Sequence, residues 1–178
     1  MHELAFEGWV LIMKINIASV LRNDGASKTF SGNVELGTFN YIGSTLKFDK
    51  PLDVVGKVYN IGGTLEISAQ ITGEYTTQCS RCGAEVTEKL SAELFESVDD
   101  EFSDVDEECI VVTGNVIDIS GSIDACIFGS IPMQFLCRED CKGLCHKCGT
   151  DLNKNECNCE EEVYDPRFAI FRKLSKEV

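Results

Sequence analysis

Apolar and polar positions alternate with a period of two through much of the first two thirds of the chain. From Leu52 to Val58, and again from Leu65 to Tyr75, alternate positions are apolar or small. This period is typical of a strand with one buried and one exposed face. Gly62-Gly63 separates the two runs. It predicts a two-residue hairpin turn, because glycine accepts the positive φ that both central positions need.

The same alternation continues further along the chain. It returns between Val86 and Leu94, and two short β-rich pieces, Cys109–Thr113 and Val116–Ile119, flank Gly114-Asn115. Another alternating run opens at Met13. These segments predict an antiparallel sheet that is curled or barrel-like.

Two segments have helical features. At 118–131 the positions Ile119, Ile123 and Ile127 share one face with Cys126, and Pro132 ends the segment. Cys126 on this face and Cys109 on a strand are interpreted as core thiols. Asp165-Pro166 resembles a helix start, and the apolar residues after it predict a short C-terminal helix.

The fold class expected is α+β and mainly β, with a zinc-knuckle module at the C-terminal end. The predicted domains are a β-rich unit at 13–136 and a cysteine-rich unit with the final helix at 137–178. Residues 1–12 are interpreted as an extension or a misassigned start, because Met13 opens directly into strand-like sequence. They lack the basic region and cleavage site of a signal peptide and are too short to span a membrane.

Charge is high and unevenly distributed. The chain of 178 residues has a formal net charge of −14. Residues 85–108 contain eleven acidic residues and one basic residue, whereas residues 137–178 contain nine and eight. Such an acidic protein gains little from counterion release on a phosphate backbone. A basic protein partner is electrostatically easier, and a solvated acidic loop is the alternative explanation.

Eight of the ten cysteines have the close spacing of metal ligands: Cys79, Cys82, Cys137, Cys141, Cys145, Cys148, Cys157 and Cys159. Without an export signal, this many cysteines favours a reducing cytoplasm and metal sites over disulfides. Zinc is the usual ion for four thiolates. One or two zinc ions per chain are expected.

The strongest of these patterns is Cys145-His-Lys-Cys148-Gly149, which predicts a zinc knuckle completed by Cys157 and Cys159. Cys79 and Cys82 need two further ligands, and Cys137 and Cys141 remain for them. Other pairings stay open, since Cys141 and Cys145 can exchange roles between the two sites.

The sequence offers few candidate catalytic residues. The chain has two histidines, of which His146 lies inside the knuckle and His2 in the extension. A redox C-x-x-C motif usually lies at a helix N-terminus, whereas Cys79 and Cys82 lie between strand-like segments. A thiol oxidoreductase is therefore ranked last, and no catalytic residues and no small-molecule substrate are predicted.

The motifs together resemble the YceD family, named for accumulation of large-subunit ribosomal RNA. The resemblance runs from about Met13 to the C-terminus. It is carried by Cys79-Ser-Arg-Cys82, by the run from Leu136 to Asn153, and by Cys157-Asn-Cys159 followed by Asp165-Pro166-Arg167. His146 stands where a proline is common in that family, which affects turn rigidity more than ligation.

The resemblance implies a cytoplasmic, non-enzymatic factor that acts in maturation or accumulation of the large ribosomal subunit RNA. The expected partner is the large-subunit precursor, and two components of it compete. The first is a basic ribosomal protein held by the acidic residues Asp99, Asp100, Glu101, Asp106, Glu107 and Glu108. The second is ribosomal RNA contacted by Arg138, Lys142, Lys147, Lys154, Arg167, Arg172 and Lys173. A zinc-stabilised interaction module with no ribosomal role is a further alternative.

Overall fold

The computed structural model describes residues 12–98 and 111–159. Its strands are β1 (Lys14–Asn16), β2 (Ser27–Val34), β3 (Thr38–Tyr41), β4 (Ser44–Lys47), β5 (Leu52–Ile61), β6 (Thr64–Gln78), β7 (Glu85–Val98), β8 (Val111–Thr113) and β9 (Val116–Asp118). Its helices are α1 (Ala18–Leu21) and α2 (Ser120–Ser130). The expected C-terminal helix, residues 1–11 and most of the acidic loop lie outside the described residues. The two-domain division and the start at Met13 therefore stay predictions.

Two antiparallel sheets contain all these strands. The smaller sheet has the order β1-β9-β8, and the larger one has the order β2-β5-β6-β4-β3 with β7 also paired to β6. Because β5 and β7 pair with the same residues of β6, they lie on its opposite edges. The long hairpin of β6 and β7, in register from Leu65–Val98 to Gln78–Glu85, is the centre of the fold.

The predicted two-residue hairpin is confirmed. Ile61 pairs with Thr64 across Gly62 and Gly63. Both glycines have positive φ, 64° and 99°. A side chain at either position would be strained, so the glycine pair sets the register of β5 on β6.

The expectation of a mainly β protein is confirmed, but closure into a barrel is wrong. Among the described strands, none joins β7 to the far edges β2 and β3. The helix α2 packs against β7 instead. Its residues Ile123 and Ile127 are fully buried in the same apolar cluster as the sheet. A sheet whose apolar face is covered by a helix does not need to close on itself.

The helix occupies nearly the segment expected for it. It is preceded by the fully buried Ile119, and Ile131 after it has an extended ψ of 123° before Pro132. Cys126, expected in the core, is only partly buried at its margin, where it packs against the cluster. Among the described residues, no helix is long and apolar enough to cross a membrane.

Gly56 shows how closely the sheet is packed. It pairs with Phe30 of β2. A Cβ at Gly56 would collide with the Phe30 ring and lie 2.6 Å from the Ser68 carbonyl oxygen. The glycine therefore provides the space that this aromatic ring occupies against the sheet.

We expect Gly56→Ala to lower the free energy of unfolding by about 1–3 kcal/mol, because the ring and a backbone carbonyl must both move. The matched control is Gly129→Ala in α2, where a Cβ meets nothing within 4 Å. This control should stabilise the protein by up to about 1 kcal/mol, because alanine favours the helix. Urea unfolding of both variants measures the difference. A Gly56→Ala variant as stable as the wild type would contradict the packing described.

Candidate metal centres

The tip of the β6–β7 hairpin is a cysteine knuckle. The ladder ends at Gln78 and Glu85, and Cys79 and Cys82 lie in the loop between them. The Cys79 backbone N–H donates to the Ala84 carbonyl oxygen at 2.8 Å, and the Gly83 N–H donates to the Cys79 carbonyl oxygen at 2.8 Å. Gly83 has a φ of 70°. The loop thus presents two thiols on a turn that the hairpin ladder holds rigid.

The second knuckle repeats this geometry. The Cys145 N–H donates to the Thr150 carbonyl oxygen at 2.8 Å, and the Gly149 N–H donates to the Cys145 carbonyl oxygen at 2.8 Å. Gly149 has a φ of 72°. The spacing Cys-x-x-Cys-Gly therefore folds in the same way at both places, although only the first lies between long strands.

The eight candidate ligands form two sets of four. Cys79, Cys82, Cys137 and Cys141 make one set, called here cluster 1. The other, cluster 2, consists of Cys145, Cys148, Cys157 and Cys159. In each cluster the four sulfurs lie within 4.8 Å of one another. The pairing favoured from the sequence is the one that the structure brings together.

The spacing of the sulfurs suits a tetrahedral ion. A zinc–sulfur bond of about 2.3 Å places the sulfurs of a tetrahedron about 3.8 Å apart. In cluster 1 the Cys79 and Cys141 sulfurs are 3.9 Å apart, and those of Cys82 and Cys137 are 3.7 Å apart. Both clusters can hold a metal ion, and four thiolates leave no open position for a substrate.

Cluster 1 joins the sheet to the chain that follows α2. Ser80 in the knuckle donates its N–H to the Phe135 carbonyl oxygen at 2.8 Å, and the Phe135 N–H donates to the Ser80 hydroxyl at 3.2 Å. Phe135 is buried, with its ring edge-on to that of Tyr75 in β6. Burial raises the pKa of Tyr75 to about 12. These contacts bring Cys137 to the hairpin tip.

Little else orders the segment beyond Phe135. Of the described residues 137–159, the buried ones are Cys141, Gly143 and Cys145. This segment therefore has no apolar core of its own. Four-thiolate centres supply folding free energy in such modules, because the ion binds only the folded arrangement.

In each cluster one thiol has a pKa lowered to about 6. Burial raises the pKa of Cys79, but the backbone N–H groups of Cys137, Cys82 and Arg81 outweigh it and lower this pKa to about 6. In cluster 2 the Thr150 hydroxyl, 3.1 Å from the Cys148 sulfur, and the Thr150 N–H lower the pKa of Cys148 to about 6.

In each cluster another thiol has a pKa raised to about 12. A hydrogen bond with the Cys141 sulfur raises the pKa of Cys137 to about 12, and one with Cys148 raises that of Cys159 to about 12. Without a cation, four thiolates cannot coexist at this spacing. Metal binding must therefore release protons, and affinity should fall as the pH is lowered.

The basic residues proposed for RNA contact are partly neutralised. The Arg138 Nε lies 3.2 Å from Asp140, and the Lys154 Nζ lies 3.3 Å from Asp151. Lys142 and Lys147 are exposed. Arg167, Arg172 and Lys173 lie outside the described residues, as do the acidic positions Asp99, Asp100, Glu101, Asp106, Glu107 and Glu108.

Arg81 and Asn153 are polar residues at the clusters whose contacts were not predicted from the sequence. The Arg81 guanidinium donates to the Cys141 carbonyl oxygen at 2.8 Å, and the Asn153 amide contacts the Cys141 sulfur at 3.5 Å. Both lie within the motifs that carried the resemblance. Their roles depend on contacts between segments, which spacing along the chain does not reveal.

Comparison with known proteins agrees with these features. The model of the family "Large ribosomal RNA subunit accumulation protein YceD" matches residues 67–175, more than half of the chain. The chain belongs to the YceD family. The matched region includes both clusters and the β6–β7 hairpin from Ile67 onward. No solved structure matches the chain.

Three relatives show how far the similarity extends. An uncharacterized protein of Mycobacterium tuberculosis (strain ATCC 25618 / H37Rv) is 31% identical over 133 residues, 71% of this chain. The match spans only 60% of that relative's length. The uncharacterized protein YlbN of Bacillus subtilis is 27% identical over 170 residues, 93% of this chain and 98% of that protein. The large ribosomal RNA subunit accumulation protein YCED homolog 1, chloroplastic, of Arabidopsis thaliana is 36% identical over 62 residues, 35% of this chain and 19% of that protein.

We expect about two zinc ions per chain in protein purified under reducing conditions, because the four sulfurs of each cluster lie within 4.8 Å of one another. Cys79→Ser/Cys82→Ser should reduce this to about one, since cluster 1 loses half of its ligands. Elemental analysis measures the change. The matched control Cys126→Ser removes a thiol outside both clusters and should leave the content unchanged. An equal zinc content in the Cys79→Ser/Cys82→Ser variant and the wild type would contradict the role of cluster 1.

Proposed function

We propose that this protein is a ribosome-biogenesis factor that supports accumulation of large-subunit ribosomal RNA by binding an immature component of that subunit. Membership of the YceD family carries the proposal. The Arabidopsis relative is named for the same role. The proposed action is binding and not catalysis, because the chemically distinctive residues are closed sets of four thiols. The cytoplasmic location follows from this proposal and stays a prediction.

Zinc is the ion proposed for both clusters. Its coordination chemistry matches four thiolates in a tetrahedron, and such centres are structural. In this proposal the ions hold residues 137–159 against the tip of the β6–β7 hairpin. The interaction surface is then built on a rigid frame that joins the sheet and the tail.

Within the described residues, the sheet has an uncovered face suited to a protein partner. On the side away from the core, Val55 and Phe95 are 61% and 77% exposed. The register places Val55, Gln70 and Glu93 in one row across the sheet, and Lys57, Ser68 and Phe95 in the next. The two exposed apolar side chains therefore lie on one face in adjacent rows, separated by the polar residues of β6.

The charges on this face are mainly negative. Strands β5, β6 and β7 place five carboxylates and two ammonium groups on this face. The carboxylates are those of Asp53, Glu66, Glu74, Glu85 and Glu93, and the ammonium groups are those of Lys57 and Lys89. The Lys57 ammonium lies 4.5 Å from the centre of the Tyr59 ring. An apolar centre with an acidic surround is complementary to a basic, partly apolar protein segment.

We therefore favour a basic ribosomal protein over ribosomal RNA as the component bound. The negative face repels a phosphate backbone, and Arg138 and Lys154 already have carboxylate partners. The acidic partner site predicted at 85–108 extends onto this face through Glu85 and Glu93. RNA contact through the tail is the second candidate, supported by the exposure of Lys142 and Lys147.

The test is capture of large-subunit precursors from lysate by the tagged full chain, read by identifying ribosomal proteins and ribosomal RNA in the retained material. We expect Glu93→Gln/Phe95→Ala to reduce capture of one basic large-subunit protein about tenfold, since an exposed aromatic side chain at the centre of an interface often dominates its affinity. The matched control is Ile42→Ala, which removes an exposed apolar side chain in the β3–β4 turn.

Binding of ribosomal RNA is tested in the same capture experiment with the variant Lys142→Gln/Lys147→Gln. If this variant loses ribosomal RNA while Glu93→Gln/Phe95→Ala retains every component, RNA is the partner and the sheet face is not the site. If the wild type retains no large-subunit component, the proposed function itself is wrong.

A further inference from the structure

Three residues separate the two clusters along the chain. Cys141 is the last ligand of cluster 1 and Cys145 is the first of cluster 2, so the linker is Lys142-Gly143-Leu144. A linker of this length cannot change shape at one cluster without moving a ligand of the other. The positions of Cys141 and Cys145 therefore depend on each other through this short linker.

The linker is held from the side of the first knuckle. The Leu144 N–H donates to the Arg81 carbonyl oxygen at 3.1 Å, and the Arg81 guanidinium donates to the Cys141 carbonyl oxygen at 2.8 Å. Gly143 has a φ of 76°, and a Cβ there would lie 3.0 Å from the Arg81 carbonyl oxygen. Glycine thus allows the linker to lie directly on the knuckle.

The loop of cluster 2 holds the linker from the other side. The Leu152 N–H donates to the Gly143 carbonyl oxygen at 3.0 Å, and Leu144 forms an antiparallel bridge with Asp151. Residues 151–153 belong to the segment between Cys148 and Cys157. Their position therefore depends on closure of cluster 2.

The Asn153 amide completes this connection. Its oxygen accepts from the Lys142 N–H at 2.8 Å and from the Arg138 guanidinium at 2.9 Å. Its nitrogen donates to the Cys141 sulfur at 3.5 Å and to the Asp151 carboxylate at 2.8 Å. Two donors face the oxygen and two acceptors face the nitrogen, so the amide has one chemically consistent orientation. An N–H group from the loop of cluster 2 is thereby directed at a ligand of cluster 1.

We propose that Asn153 is a positioning residue that couples the two clusters, so that metal bound in cluster 2 strengthens metal binding in cluster 1. The inference rests on the metal binding proposed above. Closing cluster 2 fixes the 149–156 loop and with it the Asn153 amide. The amide then donates to the Cys141 thiolate, one of four that share two excess negative charges around a dication. Coupling of this kind is reciprocal, so cluster 1 strengthens cluster 2 by the same factor.

The decisive substitution is Asn153→Asp. It preserves shape and both acceptor contacts of the oxygen, but it replaces the donor with a carboxylate oxygen facing a thiolate and Asp151. Loss of an outer hydrogen bond to a metal ligand typically weakens binding about 10–100-fold. Asn153→Ala removes the amide without adding charge and should give a smaller loss of the same sign. The control is Asn155→Ala, an exposed position in the same loop.

The experiment loads the full-length reduced chain with ¹¹³Cd²⁺ and follows one NMR resonance per cluster, assigned by coupling to the cysteine β-protons. Affinity at each cluster is measured by competition with a chelator. We expect Asn153→Asp to shift the cluster 1 resonance and to weaken that cluster 10–100-fold. Asn155→Ala should reproduce the wild-type spectrum and affinities.

A double-mutant cycle tests the coupling itself. Cys157→Ser/Cys159→Ser removes half the ligands of cluster 2 and should weaken cluster 1 about 10-fold or more in the wild-type background. The same change should have little effect on cluster 1 in the Asn153→Asp background, because the connection is already broken.

Two results would overturn the inference while leaving metal binding intact. One is a cluster 1 resonance and affinity unchanged by Asn153→Asp. The other is a double-mutant cycle in which Cys157→Ser/Cys159→Ser weakens cluster 1 by the same factor in the wild-type and Asn153→Asp backgrounds, because Asn153 would then not carry the coupling. A wild-type chain that binds no Cd²⁺ or Zn²⁺ would remove the proposed metal binding and the coupling together.

Discussion

Convergence of four cysteine sulfurs at the tip of the β6–β7 hairpin is the constraint on which the rest of the structure depends. Two of them come from the hairpin loop and two from the segment after α2, so cluster 1 closes a loop of more than fifty residues. The hairpin side is rigid, because the ladder continues to Gln78 and Glu85. The other side has few buried residues after Phe135. A metal ion bound at this point would determine where the cysteine-rich segment lies.

The same hairpin links the metal centres to the proposed interaction surface. The outward positions of β6 and β7 form most of the face around Phe95, their inward positions belong to the apolar core, and β7 packs against α2. The strands therefore contribute to a core layer, to a knuckle and to the proposed partner surface. Because one hairpin contributes to all three, it fixes the position of the acidic face relative to the cysteine-rich segment.

Much of this arrangement could be predicted from local sequence signals. Period-two alternation located β5, β6 and β7, and Gly62-Gly63 identified the turn between two of them. Cysteine spacing indicated the knuckles, because the backbone bonds of a Cys-x-x-Cys-Gly turn form within six residues. The isoleucine spacing indicated α2. Each of these signals depends on contacts between residues close together in the sequence.

Other features depend on contacts between distant segments and were not predicted. Barrel closure was the wrong extrapolation from a run of strands, since nothing in the alternation shows that a helix covers the sheet. Asn153 has no periodic or spacing signal. Its importance comes from the four groups around its amide, which residues 138–142 and Asp151 supply.

The most direct test of metal-dependent order is amide hydrogen exchange on the full chain, with bound metal and after its removal by a chelator under reducing conditions. We expect the amides of 79–84 and 137–159 to lose protection on metal removal, while those of β5 and the central part of β6 keep it. Unchanged protection of 137–159 in metal-free protein would contradict the account, because the segment would then be ordered without its ions.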